Sequence, residues 1–191
     1  MNKKLLNRLF LTLSAVFIVT AAPALHARTY FPSLGSHIAS NEEGPNLLTF
    51  EDGSQWKVAD SEQGTLNRWF WYSSYAQVPV TITPNYDLHS NYGYYLTYQG
   101  SYVRANLVAS PLLDSPYAIT ITGFDKNQPG KKAIYLSNGT YWSVAYSDWD
   151  RIKNWYINDL VIIGKNSEWF TPNTHILINI HTNKFVRVQK L

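Results

Sequence analysis

The sequence predicts a mainly β fold: a tandem pair of small SH3-like, or OB-like, bent sheets or barrels, each with one short helix. Two observations carry the prediction. The first is an internal repeat, in which Leu48–Trp69 returns without a gap as Ile134–Trp155. Setting Trp56 against Trp142 aligns Asp52 with Asn138, Gly53 with Gly139, Ser54 with Thr140, Val58 with Val144 and Ala59 with Ala145. It also aligns Ser61 with Ser147, Glu62 with Asp148, Leu66 with Ile152 and Trp69 with Trp155. Self-similarity at a fixed period marks a duplicated structural unit. The second is that each copy opens on an Asx-Gly pair flanked by alternating apolar residues, the strongest short-range hairpin signal.

The N-terminus reads as an export signal. Met1–Arg8 carries Lys3, Lys4 and Arg8 and no acid, residues 9–20 are nearly all apolar, and cleavage falls after Ala24 or after Ala27. The apolar run is about a dozen residues, short of the roughly 20 that a spanning helix needs. No other segment is long enough, so the expectation is an exported product, periplasmic or secreted, with no membrane span.

Module 1 is placed at residues 28–108. Leu47–Glu51 and Ser54–Val58 flank Asp52-Gly53, for which a two-residue type I′ turn is expected. Phe50, Trp56 and Val58 alternate with polar residues, so one face is buried. A short helix follows through Ser61, Glu62, Leu66 and Trp69, weakened by Gly64. Val78–Ile82 reads as a strand, and Pro79, lacking a ladder donor, makes it an edge there. Tyr94–Tyr98 and Tyr102–Leu107 form a closing hairpin around Gln99-Gly100-Ser101.

The linker is residues 109–116, broken by Pro111, Asp114 and Pro116. It is short, so the modules are expected to touch and bury a seam. Module 2 spans residues 117–191. Ala118–Thr122 opens it as a strand, and a hairpin follows around Asn138-Gly139. Ser147 should cap the next helix, with Asp148 and Asp150 as first-turn partners of its dipole and Trp149, Ile152 and Trp155 on one face. Leu160–Ile163 is a buried strand, and Ile176–Ile180 and Phe185–Val188 flank His181–Lys184. Val186-Arg187 matches Val103-Arg104. The count is about five strands and one short helix per module.

The Asp-Gly-Ser-x-Trp-x-Val pattern, followed by a helix ending in Trp, a turn and a Val-x-Ile strand, resembles a repeat of exported, uncharacterised proteins of Gram-negative bacteria, intracellular ones included. The resemblance covers both modules. Asn158-Asp159 stands where Gly-Asp is expected, and module 1 replaces that turn with Tyr72–Gln77. The resemblance implies no catalytic residue.

Composition excludes several functions. Removing Lys3, Lys4 and Arg8 from the 16 basic residues leaves as many bases as the 13 acids, and only Lys184, Arg187 and Lys190 cluster. Nucleic-acid binding needs concentrated positive charge, so none is expected. With no cysteine, there is no disulfide, thiolate metal site, cysteine nucleophile or lipobox anchor. An exported domain without such staples is held by its core, for which seven Trp, 14 Tyr and eight Phe supply the rings.

No histidine stands at metal spacing. His37 and His89 lie in separate contexts, and His175 and His181 are about 20 Å apart on an extended strand. Asp148 and Asp150 point about 200° apart on a helix and cannot work on one atom. No G-x-S-x-G, Ser-x-x-Lys or P-loop is present. Asn138-Gly139-Thr140 matches a glycosylation sequon but sits in a tight turn. A non-enzymatic module without cofactor or metal is therefore expected. The alternative is a cell-wall or glycan-active hydrolase that assembles a pair from Asp87, His89 or Glu168. An assembly subunit using the strand edge Val78–Ile82 is a third reading.

Binding has more support. Trp56, Trp142, Trp69 and Trp155 recur because both cores need them. Outside the repeat, module 1 carries five additional residues after its helix, within Phe70-Trp71-Tyr72-Ser73-Ser74-Tyr75, and a tyrosine run at Tyr92–Tyr95, Tyr98 and Tyr102. Exposed Trp and Tyr offer an apolar face with a polar edge. Trp71, Tyr72 and Tyr75 are the candidate contact residues for a protein, peptide or glycan of the envelope or host surface; otherwise they cover the seam between modules.

Overall fold

The computed structural model describes residues 34–41, 44–71, 77–125 and 132–191; the expected signal segment, residues 1–27, lies outside them. Two closed antiparallel barrels make up the described chain. In the first, β1 (Ser36–Ser40), β2 (Leu47–Phe50), β3 (Gln55–Val58), β4 (Gln77–Pro84), β5 (Tyr94–Tyr98) and β6 (Ser101–Ala109) close in the order β1-β2-β3-β6-β5-β4. A helix, α1 (Gln63–Trp71), joins β3 to β4. In the second, β7 (Ile119–Asp125), β8 (Ala133–Leu136), β9 (Tyr141–Val144), β10 (Leu160–Lys165), β11 (His175–Asn179) and β12 (Lys184–Lys190) close in the order β10-β11-β12-β9-β8-β7.

The predicted pair of small barrels is what the chain forms, with six strands each rather than five. The strand that pattern reading misses is β1, whose inward residues His37 and Ala39 give too weak an apolar signal. β4 is not an edge strand as a whole, since it pairs with both β1 and β5. Along Val78–Val80, however, it has only the β1 ladder, and Pro79 lies in that stretch opposite Ile38.

The repeat motif is a hydrogen-bonded unit. The Asp52 carboxylate accepts from the Ser54 amide at 2.8 Å, and the Ser54 hydroxyl accepts from the Trp56 indole at 3.1 Å. Asn138, Thr140 and Trp142 repeat this at 3.1 and 2.6 Å. These are Asx turns that also satisfy a buried indole donor. The turns themselves are not type I′. Gly53 and Gly139 have φ of 85° and 77°, whereas Asp52 and Asn138 stay out of the left-handed region. Gly53 N–H donates to Phe50 C=O, and Phe50 N–H to Ser54 C=O, as Gly139 and Leu136 do with Leu136 and Thr140. That pattern is a three-residue loop with glycine in a bulge. The two-residue turn with both φ positive occurs instead at Gln99 (47°) and Gly100 (79°), in the closing hairpin of the first barrel.

The helix expectation inverts. The first copy, despite Gly64, forms α1 over two and a half turns, whereas the second forms two 3₁₀ turns, Tyr146–Asp148 and Arg151–Asn154. Ser147 caps neither; its hydroxyl accepts from Arg187. Packing overrides local propensity here: Ile152 and Trp155 reach the core either way.

The barrels share a seam built by β10 and β11, both of whose faces are buried. Ile162, Ile176 and Ile178 enter the core of the first barrel beside Val78, Val80 and Ile82 of β4, while Val161, Ile163 and Leu177 enter that of the second. This two-sided burial explains the unbroken apolar run at Leu160–Ile163. Gly164 makes the approach possible, since a Cβ there would lie 2.8 Å from the Ile82 carbonyl oxygen. His37 bridges the seam, its Nε2 donating to Ile163 C=O at 2.7 Å and its Nδ1 lying 3.2 Å from Glu51 Oε1.

Candidate functional site

Trp71 ends α1. Leu66 and Trp69 turn the buried face of that helix inward, and the Trp69 indole donates to the Ser101 hydroxyl at 3.1 Å. Two residues further, Trp71 points away from this face and is 84% exposed. It takes no part in the core cluster. Tyr72 and Tyr75 lie outside the described residues, so the structure places one of the three candidate contact residues.

The acid of each copy holds an arginine that the sequence alignment also pairs. Glu62 accepts from the Arg104 backbone amide and, at 2.6 Å, from its Nε, with Ser61 taking Nη2 at 3.3 Å. Asp148 accepts from the Arg187 amide at 2.8 Å and from its Nε at 2.9 Å, with Ser147 taking Nη2 at 2.7 Å. Asp148 is therefore a buried ion-pair partner and not a dipole partner. Burial pushes its pKa up, but the Arg187 hydrogen bonds and charge outweigh this and hold it below the usual carboxylate range.

The loops after β4 and β10 are a repeat that the sequence conceals. Asn85 donates from its amide to Tyr92 C=O at 2.8 Å and accepts from the Asp87 amide at 3.0 Å. Asn166 does the same with Asn173 C=O (2.8 Å) and Glu168 N–H (3.1 Å). The signal was Asn-x-Asp against Asn-x-Glu, shifted out of register by the five additional residues of module 1. The loops adjoin, since Tyr86 Oη donates to Asn166 Oδ1 at 3.1 Å. Burial, with the Glu168 carboxylate nearby, pushes the Tyr86 hydroxyl up to about 12. Leu88, Trp169 and Phe170 stand on these loops with 86% or more of their surface exposed.

Of the three candidate hydrolytic residues, Asp87 and His89 come together on the surface, and Glu168 is engaged by an arginine. Asp87 Oδ1 and His89 Nδ1 are 3.6 Å apart on an exposed turn whose Asp87 carboxylate also accepts from the His89 amide. Glu168 is bound to Arg187 at 2.8 Å. Of the remaining histidines, His37 is a buried seam residue. Burial pulls its pKa down, but Glu51 and the Ile163 carbonyl more than compensate and raise it above 6.5. His175 is lowered by burial and meets Trp142 edge-on. Among the described residues no three His, Asp or Glu side chains gather as a metal site, and no helix is long and apolar enough to cross a membrane.

Beside the seam lies an open groove of about 450 Å³, lined from the first barrel by Asn85, Gly93, Tyr94, Asn106 and Leu107 and from the second by Arg151, Asn183, Lys184 and Phe185. Sequence reading missed it, because its residues come from both copies and, Asn85 apart, from positions that do not repeat. A second groove runs past Tyr86, Asp87, Tyr95 and Tyr102. Comparison with known proteins finds no family model, no curated sequence and no solved structure that matches the chain.

Proposed function

We propose that the chain is an exported, non-enzymatic binding module of the Gram-negative envelope, periplasmic or secreted, that contacts a protein, peptide or glycan through the aromatic end of module 1. Export rests on Lys3, Lys4 and Arg8 ahead of the apolar run at residues 9–20. The observation that carries the binding reading is Trp71. An 84%-exposed indole on a helix that already buries Leu66 and Trp69 is surplus to the fold, and a large exposed ring beside Tyr72 and Tyr75 in sequence suits a contact surface.

The test is retention on envelope and host-surface extracts by the purified mature chain. The Trp71→Ala/Tyr75→Ala variant should lose retention while its circular dichroism and melting temperature stay those of the parent; for the exposed Trp71 ring, truncation shifts stability by about 0.5 kcal/mol or less. Full retention by the folded double variant would refute the assignment.

A further inference from the structure

We propose that the inter-barrel groove is a second contact site and that its occupant is an acidic peptide segment, gripped by Lys184 and Arg151. The proposal rests on the binding-module reading above but uses a different surface. The duplication acts as an internal control on it, because what the fold requires recurs in both copies and what does not recur is free to serve something else.

Strand pairing sets Lys184 opposite Asn179 as Ser101 is opposite Tyr98, so Lys184 occupies the place of Ser101. In module 1 the Ser101 hydroxyl accepts the Trp69 indole N–H. In module 2 a lysine, which has no acceptor, stands there instead, and the buried Trp155 indole N–H has no hydrogen-bond partner among the described residues. Module 2 forgoes a hydrogen bond that its twin makes and gains an exposed ammonium, for which no ion-pair partner is found among the described residues. A local rule broken without a structural gain is expected at functional sites. Arg151 likewise stands where module 1 has Thr65 in the gapless register. Its Nη1 donates to Phe185 C=O at 3.2 Å with the guanidinium over the Phe185 ring, while its Nε lies 3.9 Å from the buried Asp148 carboxylate, so Arg151 is partly compensated and Lys184 is the main cation of the groove.

The lining holds these two cations and no carboxylate, so the groove is complementary to negative charge. Its volume falls within the range of roughly 300–1,000 Å³ usual for ligand sites. Tyr94, Leu107 and Phe185 provide an apolar floor for a neighbouring side chain. A glycan fits less well. Phe185 is already crossed by Arg151 and met at an angle by Tyr86 and Tyr94, and Tyr94 is buried, so no open ring is offered for a sugar to stack on. An acidic residue beside an apolar one meets both the cations and the floor.

Selection of a displayed library of random dodecapeptides on the full mature chain should enrich sequences with Asp or Glu next to an apolar residue. Labelled copies should bind at least tenfold more weakly at 0.5 M than at 0.05 M NaCl, as exposed charge pairs are screened. Lys184→Ser, which restores the hydroxyl of module 1, should weaken them at least tenfold while the melting temperature holds or rises. Trp71→Ala should leave them unchanged. Enrichment of neutral or basic sequences, no enrichment, or equal binding by Lys184→Ser overturns the proposal, as does oligogalacturonate binding through Lys184 in place of the peptides. If the peptides fail while Trp71→Ala/Tyr75→Ala still loses extract binding, the groove falls and the module-end reading stands.

Discussion

Arg187 and Arg104 do the same job in two settings, and the settings decide what each is worth. The Asp148 side chain is 2% exposed and that of its counterpart Glu62 18%. Removing one partner of a buried pair costs about 3–5 kcal/mol where the remaining charge is uncompensated, and Arg151, 3.9 Å from Asp148, puts the loss of Arg187 at the lower end. Arg187→Gln should therefore destabilise the chain by about 3 kcal/mol in urea unfolding at pH 7, and Arg104→Gln by clearly less. Equal losses would show that burial does not govern these clusters. Asp148, held below the usual range, contributes stability above that range and loses it as the pH falls through its folded pKa. The alignment of Glu62 with Asp148 and of Arg104 with Arg187 was visible in the sequence; that the two pairs meet was not. The acid lies in a turn and the arginine some 40 residues on, a distance that local pattern does not bridge.

At the level of elements, the three-residue turns depend on Gly53 and Gly139. Both have a left-handed φ that costs an L-residue roughly 1–2 kcal/mol. A Cβ on Gly139 meets nothing within 4 Å, whereas one on Gly53 would lie 2.5 Å from Leu112 Cγ. Gly139→Ala should cost about 1 kcal/mol in thermal unfolding and Gly53→Ala more, because Leu112 must also move; the reverse order would refute the contact. All strands but β1, the hairpins and the tryptophan cores were legible because the apolar residues alternate and the Asx-Gly pairs mark turns; the order in which the strands close was not. The turn type was not, since the same dipeptide serves both loop lengths. Nor was the helix: Gly64 lowers propensity, yet α1 forms and its better-patterned counterpart does not, because tertiary packing sets how each connection is wound. Of the candidate site, Trp71 was legible as an aromatic outside the repeat. The groove was not, since no single segment contains it.

At the scale of the whole molecule, β10 and β11 serve two cores at once. Ile162, Ile176 and Ile178 would be bared if the barrels parted, so the described chain should unfold in one cooperative step, with tryptophan fluorescence and far-ultraviolet circular dichroism reporting the same midpoint. His37 adds a pH term to that step. Its folded pKa is raised by Glu51 and Ile163 against the pull of burial, so the stability it contributes is complete below about 6.5 and fades as the pH rises through the folded value. The common midpoint should fall between pH 6 and pH 9 in the parent and change less in His37→Gln. Two separate transitions, or an unaltered slope in the variant, would refute the bridge.

Ring closure has a further consequence for how the folded chain meets copies of itself. A flat sheet ends in a row of bare amides that invites a like chain to add on, the first step toward a fibril. Here each sheet returns to its own beginning, β4 onto β1 and β10 onto β7. Once the last ladder zips shut, only short stretches of the described strands, such as the β5 side of Val78–Val80, keep rungs on which a neighbour could add.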